Sequence, residues 1–400
     1  MHLKHKKIMR RTNIYDKNIY NIDEHKKFKD LCYNYPYLPT FIHKVDRIIG
    51  IGDIHGDLEL TIKFLEVGKL IKEIKMDEFK INECIKIPMN MTKLQFQKNY
   101  KILSDIMLSN NNGTFKEFKY FKWIGDNTYV VQVGDQIDRC RPFSNSDCMD
   151  DGVTVDDENS DLLIMEIFDC LNIIATQFNG AVYSLIGNHE VMNFDGDFRY
   201  VSQRGMVEYD NLIKNRNEEF NLLKNKFACT RNAIIVIGNY IFVHGGLAHM
   251  LVSKYKLEDI NHIVRLYIQN KFEKIEDEKL KEIYKKIIYS STLSPLWYRK
   301  LAMIPPDISD NDILHKDCLT YYQPLVDHFK DTIELKGLII GHTPQLSVHN
   351  KGINMACNKQ IMRIDIGASK AFNKMFKKND ENRKPQVIEI LNNEQINILM

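Results

Sequence analysis

Asp53, His55, Asp135, Asp138, Asn188, His189, His244 and His342 each lie in a short glycine-bearing string. The strings are Gly52-Asp53-Ile54-His55-Gly56-Asp57, Gly134-Asp135-Gln136-Ile137-Asp138-Arg139, Gly187-Asn188-His189-Glu190, His244-Gly245-Gly246 and Gly341-His342-Thr343. Asp53, His55, Asp135, Asn188, His244 and His342 offer a mixed oxygen and nitrogen donor set. Such a set suits Mn, Fe, Zn, Co or Ni better than an ion that prefers thiolates. Asp135, with two carboxylate oxygens, can bridge two cations, as two-metal hydrolytic centres spaced by about 3.5–4 Å require. Such a pair would clamp the oxygens of a phosphate monoester and lower the pKa of a water between them. A planar guanidinium matches phosphate oxygens two at a time. A leaving alkoxide or phenoxide needs a proton, which histidine can supply near neutral pH, and a carboxylate on the other ring nitrogen would fix the tautomer. No cysteine or aspartate motif suits covalent capture, so direct attack by a bridging hydroxide is the expected route.

The segments that lead into these strings are Arg47 to Ile51, Thr128 to Val133, Ala181 to Ile186, Tyr240 to Val243 and Leu338 to Ile340. Short runs rich in Ile, Val, Phe and Tyr and bounded by glycine read as buried strands. Strands of one sheet would deliver their last residues to a common edge, where α/β folds bind ligands. Glycine beside each ligand allows sharp turns and close approach of the backbone.

The order of the five strings resembles the calcineurin-like metallophosphoesterases, and within them the phosphoprotein phosphatase superfamily. Leu185 to Asn193, Gly196 to Val201, Ser294-Pro295-Leu296-Trp297-Tyr298-Arg299 and Asp365-Ile366-Gly367-Ala368-Ser369 are similar to the Shewanella-like protein phosphatase branch. The resemblance runs from residue 45 to about 372. It implies a four-layer α/β/β/α sandwich of two mixed sheets with helical insertions. It places Asp53, His55 and Asp135 on one metal, and Asp135, Asn188, His244 and His342 on a second. Arg139 and Arg299, with Asn188, would grip the substrate phosphate, and His189, oriented by Asp138, would be the general acid. The implied activity is hydrolysis of phosphoserine, phosphothreonine or phosphotyrosine on protein, with two divalent transition-metal ions, Mn foremost. A dinucleoside-polyphosphate or cap-cleaving hydrolase of the same fold is the rival, opposed by the Asp138-Arg139 pair; an inactive phosphopeptide-binding scaffold is the other. Two departures stand out: Cys140 replaces the glycine usual after the second motif, and no Ser-Ala-Pro-Asn-Tyr loop follows near the end.

Residues 1–44 read as a polar, partly ordered lead-in and 45–400 as one catalytic domain. The interval between Asp53 and Asp135 far exceeds the roughly 30 residues of a βαβ unit, which marks 71–122 as an insertion at the cleft edge, with a turn at Asn110-Asn111-Asn112-Gly113. Asp161 to Phe178 has helical periodicity with Ser160 as N-cap. The acidic stretch from Asp147 to Asp161 reads as a solvated loop beside the site, with a substrate gate as the alternative. Residues 257–290 read as an exposed helical pair, and 385–400 as two strands.

Hydrophobic residues make up 44% of 400, enough for a large core, and the net charge of +2 gives no nucleic-acid footprint. Eight cysteines without CxxC spacing suggest reduced thiols and a cytoplasmic setting. Cys140 reads as a packing residue, with a redox-sensitive thiol as the alternative. The basic start lacks the apolar core of a secretory signal, and no apolar run is long enough to span a membrane. The expected partner is a phosphoprotein or phosphopeptide.

Overall fold

The structure is a computed structural model that describes residues 21–89, 100–109, 117–142, 145–150, 152–207, 216–307, 315–376 and 380–400. The turn expected at 110–113 lies outside them.

Two sheets carry the motifs. One has the order β14 (Gln395–Leu399), β13 (Val387–Leu391), β2 (Arg47–Ile51), β6 (Tyr129–Gln132) and β7 (Ala181–Ser184). The other has the order β1 (Phe41–Ile42), β8 (Ile234–Ile237), β9 (Tyr240–Val243), β10 (Gly337–Ile340), β12 (Ile361–Arg363) and β11 (Asn354–Ala356). Each sheet mixes parallel and antiparallel pairs: β2, β6 and β7 run parallel, as do β9, β10 and β12, and β1 with β8, whereas β13 is antiparallel to both its neighbours and β8 is antiparallel to β9.

The side-chain alternation of a strand explains why these runs are apolar throughout rather than at every second residue. Ile48, Val131, Phe242 and Ile339 face the core between the sheets. Their neighbours Ile49, Ile51 and Val130 face a second core beneath the Leu58–Val67 and Asp161–Ala175 helices. Ile241, Val243, Leu338 and Ile340 face a third, beneath the Arg216–Thr230 and Leu257–Ile268 helices. Helix, sheet, sheet and helix are therefore stacked as four layers.

Several expectations change. The 71–122 insertion holds a three-stranded antiparallel sheet of β3 (Ile71–Ile74), β5 (Phe118–Trp123) and β4 (Cys84–Pro88), with one helix at Tyr100–Met107. It packs on the Asp161–Ala175 helix through buried Leu103, Met107 and Ile85. Residues before 45 are more than a lead-in. The Ile22–Cys32 helix, N-capped by Asn21, buries Phe28 and Cys32, and β1 joins the second sheet. In the 257–290 pair only the Glu278–Tyr289 helix is largely exposed; Leu257–Ile268 buries Leu257, Ile260, Ile263, Val264 and Ile268. Ser160 stands at the expected N-cap, but its hydroxyl donates to Gly56 O at 3.1 Å instead of capping.

The cysteine reading is overturned. Cys32–Cys229, Cys140–Cys148 and Cys318–Cys357 are disulfide-bonded, and only Cys84 and Cys170 are free, both buried. Scatter along the sequence hid partners that the fold makes adjacent, and the case for a reducing compartment goes with it. Among the described residues no helix is long and apolar enough to cross a membrane.

Candidate metal centre

The five strings converge, but from two sheets rather than one. β2, β6 and β7 of the first sheet deliver Asp53 and His55, Asp135 and Asp138, and Asn188 and His189. β9 and β10 of the second deliver His244 and His342. The turns leaving the strands are tight. His55, Asp135, Asp138 and His342 take φ of 49°, 54°, 74° and 66°, a left-handed conformation that few residues other than glycine adopt readily. Glycines let the strings close on one another. A Cβ on Gly187 would come within 2.2 Å of Asp135 Oδ1, and one on Gly341 within 2.3 Å of Asp53 Oδ1.

Asp135 lies at the centre. Its Oδ2 is 3.3 Å from His244 Nε2, 3.8 Å from His189 Nε2 and 4.0 Å from His55 Nε2, so one carboxylate belongs to two ligand clusters: His55, Asp135 and His189 on one side, Asp135, His244 and His342 on the other. Asp53 Oδ2 is 3.9 Å from His55 Nε2, and the Asp53 carboxylate accepts from the His342 amide at 3.0 Å. Asn188 Oδ1 is 2.9 Å from His244 Nε2.

Ring orientation follows from the outer nitrogens. His55 Nδ1 donates to Ile137 O at 3.2 Å and His244 Nδ1 to Val133 O at 3.0 Å, which turns both Nε2 atoms inward, toward Arg141 Nη2 at 2.8 Å and Asn188 Oδ1 at 2.9 Å respectively. Behind Asp135, the buried Glu190 carboxylate accepts the backbone N–H groups of Gly187, Asp135 and Gln136 at 2.7, 3.0 and 2.8 Å. Three charge-assisted bonds thus fix the turn that carries the bridging candidate.

The residues fit divalent cations. His342 Nε2 is buried with no hydrogen-bond partner, and so is Asp365 Oδ2. Burial foremost, then the neighbouring Asp365 and Asp135, pushes the Asp53 carboxyl well above its usual range. Burial and Asp135 raise Glu190, and burial lifts Asp365 to about 6. Asp135 goes the other way: burial alone would raise it, yet His244 and His189 hold it well below. Burial, with the charges of Arg141 and His189, keeps His55 well below its ordinary value; burial, with His244 and Arg299, does the same for His342. Crowded carboxylates, beside two imidazoles, His55 and His342, that burial keeps from taking up a proton, are what an inserted cation pair would relieve.

A second network borders the first. His189 Nδ1 meets Asp138 Oδ2 at 2.7 Å, which leaves Nε2 facing the cluster. Asp138 is held in turn by Asn193 Nδ2 at 2.9 Å and by Arg216 Nη2 at 3.1 Å, and Arg216 also reaches Asp161 Oδ2 at 2.7 Å and Asn193 Oδ1 at 2.6 Å. Asp138 and Arg216 side chains are fully buried. Sequence reasoning missed Arg216, Asn193, Asp161 and Glu190 as supports. Glu190 and Asn193 stood inside a recognised string without a role; Arg216 had no local motif at all.

Arg299 is exposed and donates to His342 O at 2.9 Å and Thr343 Oγ1 at 3.0 Å, beside the second cluster. Its segment is docked by Pro295 O, which accepts from Gly245 N at 2.7 Å, and Trp297 packs 5.8 Å from the His342 ring. Arg139 is not brought to the cluster. Its side chain is fully buried, donating to Gly56 O at 2.8 Å and Asp156 O at 3.2 Å and pairing with Glu158 at 3.1 Å. The acidic stretch is solvated at Asp147, Asp150 and Asp156, as expected, and tied down only toward its end, where Asp157 accepts from the Ser202 hydroxyl and Glu158 pairs with Arg139. Asp57, outside the proposed ligand set, caps the Leu58–Val67 helix by accepting from Leu60 N at 3.1 Å.

Residues 46–346 match the family model for calcineurin-like phosphoesterases. An uncharacterized protein of Acanthamoeba polyphaga mimivirus is 33% identical over 266 residues, covering 59% of this chain and 98% of its own length. Shewanella-like protein phosphatase 2 of Arabidopsis thaliana is 26% identical over 379 residues, covering 83% of this chain and 74% of its own. Among solved structures, the cold-active protein-tyrosine phosphatase of a psychrophilic Shewanella species superposes with a TM-score of 0.52 at 17% identity. That match covers 91% of this chain and 83% of that one, and establishes the shared fold.

Proposed function

The chain belongs to the calcineurin-like phosphoesterase family, and from that premise we propose that it is a metal-dependent phosphoprotein phosphatase. One observation carries the reading: the Asp135 carboxylate is shared by two ligand clusters while His189 Nε2, backed by Asp138, faces the same space. Two divalent ions held by Asp53, His55, Asp135, Asn188, His244 and His342 would supply Lewis acidity toward phosphoryl oxygens and an acidified water. Asp138 holds the His189 ring so that Nε2 can give a proton to the departing oxygen of serine, threonine or tyrosine. Arg299, exposed beside His342, offers a cationic fork to the substrate phosphate. The names of the related proteins support protein substrates, and both alkyl and aryl phosphate esters fit the proton delivery. Mn is the expected ion for this mixed oxygen and nitrogen donor set.

Elemental analysis, together with turnover of nitrophenyl phosphate and of a phosphopeptide panel, tests the proposal. The expected result is two transition-metal ions per chain, loss of turnover on chelation and recovery with Mn. Full turnover by chelated, metal-free protein would overturn it.

A further inference from the structure

We infer that Arg216 is a positioning residue for proton delivery: acting through Asp138 and Asn193, its guanidinium sets the orientation and tautomer of His189. The inference rests on the phosphatase reading above and extends the Asp138–His189 pair to a residue on another helix.

The argument starts from what an arginine can do, which is donate and never accept. Arg216 Nε donates to Asn193 Oδ1 at 2.6 Å, so the Asn193 amide has to turn its Nδ2 the other way. That atom donates to both oxygens of Asp138, at 2.9 and 3.0 Å, and to His189 O at 2.9 Å. Arg216 Nη2 adds a bond to Asp138 Oδ1 at 3.1 Å. With Oδ1 engaged by Arg216 and Asn193, Oδ2 takes the His189 Nδ1 proton at 2.7 Å. The proton left for the ring to give is the one on Nε2, the nitrogen 3.8 Å from Asp135 Oδ2. One donor-only side chain thereby gives the whole run of bonds, from Arg216 to His189, a single direction.

The guanidinium is itself held. Its Nη2 donates to Asp161 Oδ2 at 2.7 Å, its Nη1 to Gly205 O at 3.4 Å, and it lies 5.1 Å from the ring centroid of Phe220, one turn further along the Arg216–Thr230 helix. Asp138, Asn193 and Arg216 are all fully buried. A carboxylate held in this way cannot rotate without breaking charge-assisted bonds where no water can replace them.

Stability alone does not account for this residue at this place. Buried ion pairs are often no more stabilising than apolar side chains of the same volume. A cation on the first residue of a helix also opposes the helix dipole. Orienting Asp138, and through it His189, is what the arginine does that an apolar residue could not.

Arg216→Lys keeps the charge and loses the fork, and kinetics on metal-loaded protein test it. The kcat on a phosphoserine peptide is expected to fall roughly tenfold, with KM and metal content unchanged. Nitrophenyl phosphate should stay within about threefold of the parent, because an activated ester departs without a proton. A purely structural cation would instead lower Tm and affect both esters alike. In a His189→Ala background the same substitution should change the peptide rate by less than about twofold, since residues acting through one another do not add. A readout apart from turnover is the low-field proton resonance of His189 Nδ1, assigned by its absence from His189→Ala; Arg216→Lys should shift or abolish it. Equal losses on the two esters, additive losses with His189→Ala, or an unmoved resonance would each overturn the inference. Where Arg216→Lys does not fold, Asn193→Ala cuts the same link and is held to the same outcomes. Wild-type protein that turns over no ester would remove the phosphatase reading alone, and the resonance would still decide whether Arg216 sets the ring.

Discussion

The ligand cluster and the His189 network share Asp135's turn yet are built by opposite means. Around the ligands the backbone does the positioning: strand ends, left-handed turns and carbonyls that hold His55 and His244 by their outer nitrogens. Around His189 the side chains do it, in a closed set of Asp138, Asn193, Arg216 and Asp161 with all three formal charges buried. The difference assigns distinct tasks. Backbone-set donors keep fixed spacing for a cation pair, whereas a side-chain network fixes the orientation and tautomer of one imidazole.

The largest expected effect strikes the ligand cluster. Asp135→Asn removes the charge shared by both groups of donors, so turnover should fall on the order of 10³-fold for every substrate, with loss of metal. Unchanged occupancy by elemental analysis would falsify the shared role.

Damage to the second network should instead depend on the leaving group. His189→Ala is expected to slow phosphoserine peptide by roughly 10²-fold while leaving an activated aryl ester far less affected, because a good leaving group departs without a proton. Equal losses on both substrates, with metal retained, would erase the distinction between the two regions. Asp138→Asn should show the same dependence more weakly, at about 10–100-fold on the peptide, since the ring is misoriented rather than removed.

Smaller effects probe the surroundings. Asp57→Ala removes a helix cap and should cost about 1 kcal/mol in denaturant unfolding without changing metal content. Remote from both regions, His262 is held down to about 4 by burial and then by Arg265. Its folded pKa lies below the unfolded value, so its neutral form stabilises fully above about pH 6.5, and that stability drains as pH falls toward 4. The drop in Tm over that window should be shallower in His262→Gln, and identical slopes would rule the contribution out.

Much of this was legible before any coordinates. The five strands appear within one or two residues of their expected bounds, because glycine-bounded apolar runs leave little alternative. The site residues of Asp135's cluster assemble from those strings, since each motif ends on its own strand. What the sequence concealed depends on three-dimensional adjacency. Cys32 and Cys229 are far apart in the chain but share a core beneath two packed helices. Arg216 acts through a partner in another string, and Arg139 is held by Gly56 O and the 156–158 segment instead of the ligand cluster. The insertion was marked without its strands, because the alternation in β4 and β5 is short and rich in lysine.

The left-handed turns at His55, Asp135, Asp138 and His342 carry one more consequence. Aspartate, asparagine and histidine are the non-glycine residues that best tolerate that conformation, and they are also hard or borderline donors. Geometry and coordination therefore filter for one small alphabet. Glutamate or glutamine could place similar atoms nearby but would meet a conformational toll that aspartate avoids, while glycine would sit comfortably and bind nothing. Repertoire at these four positions is narrowed twice over, and any attempt to retune the centre by exchanging donors must begin with the turn that presents them.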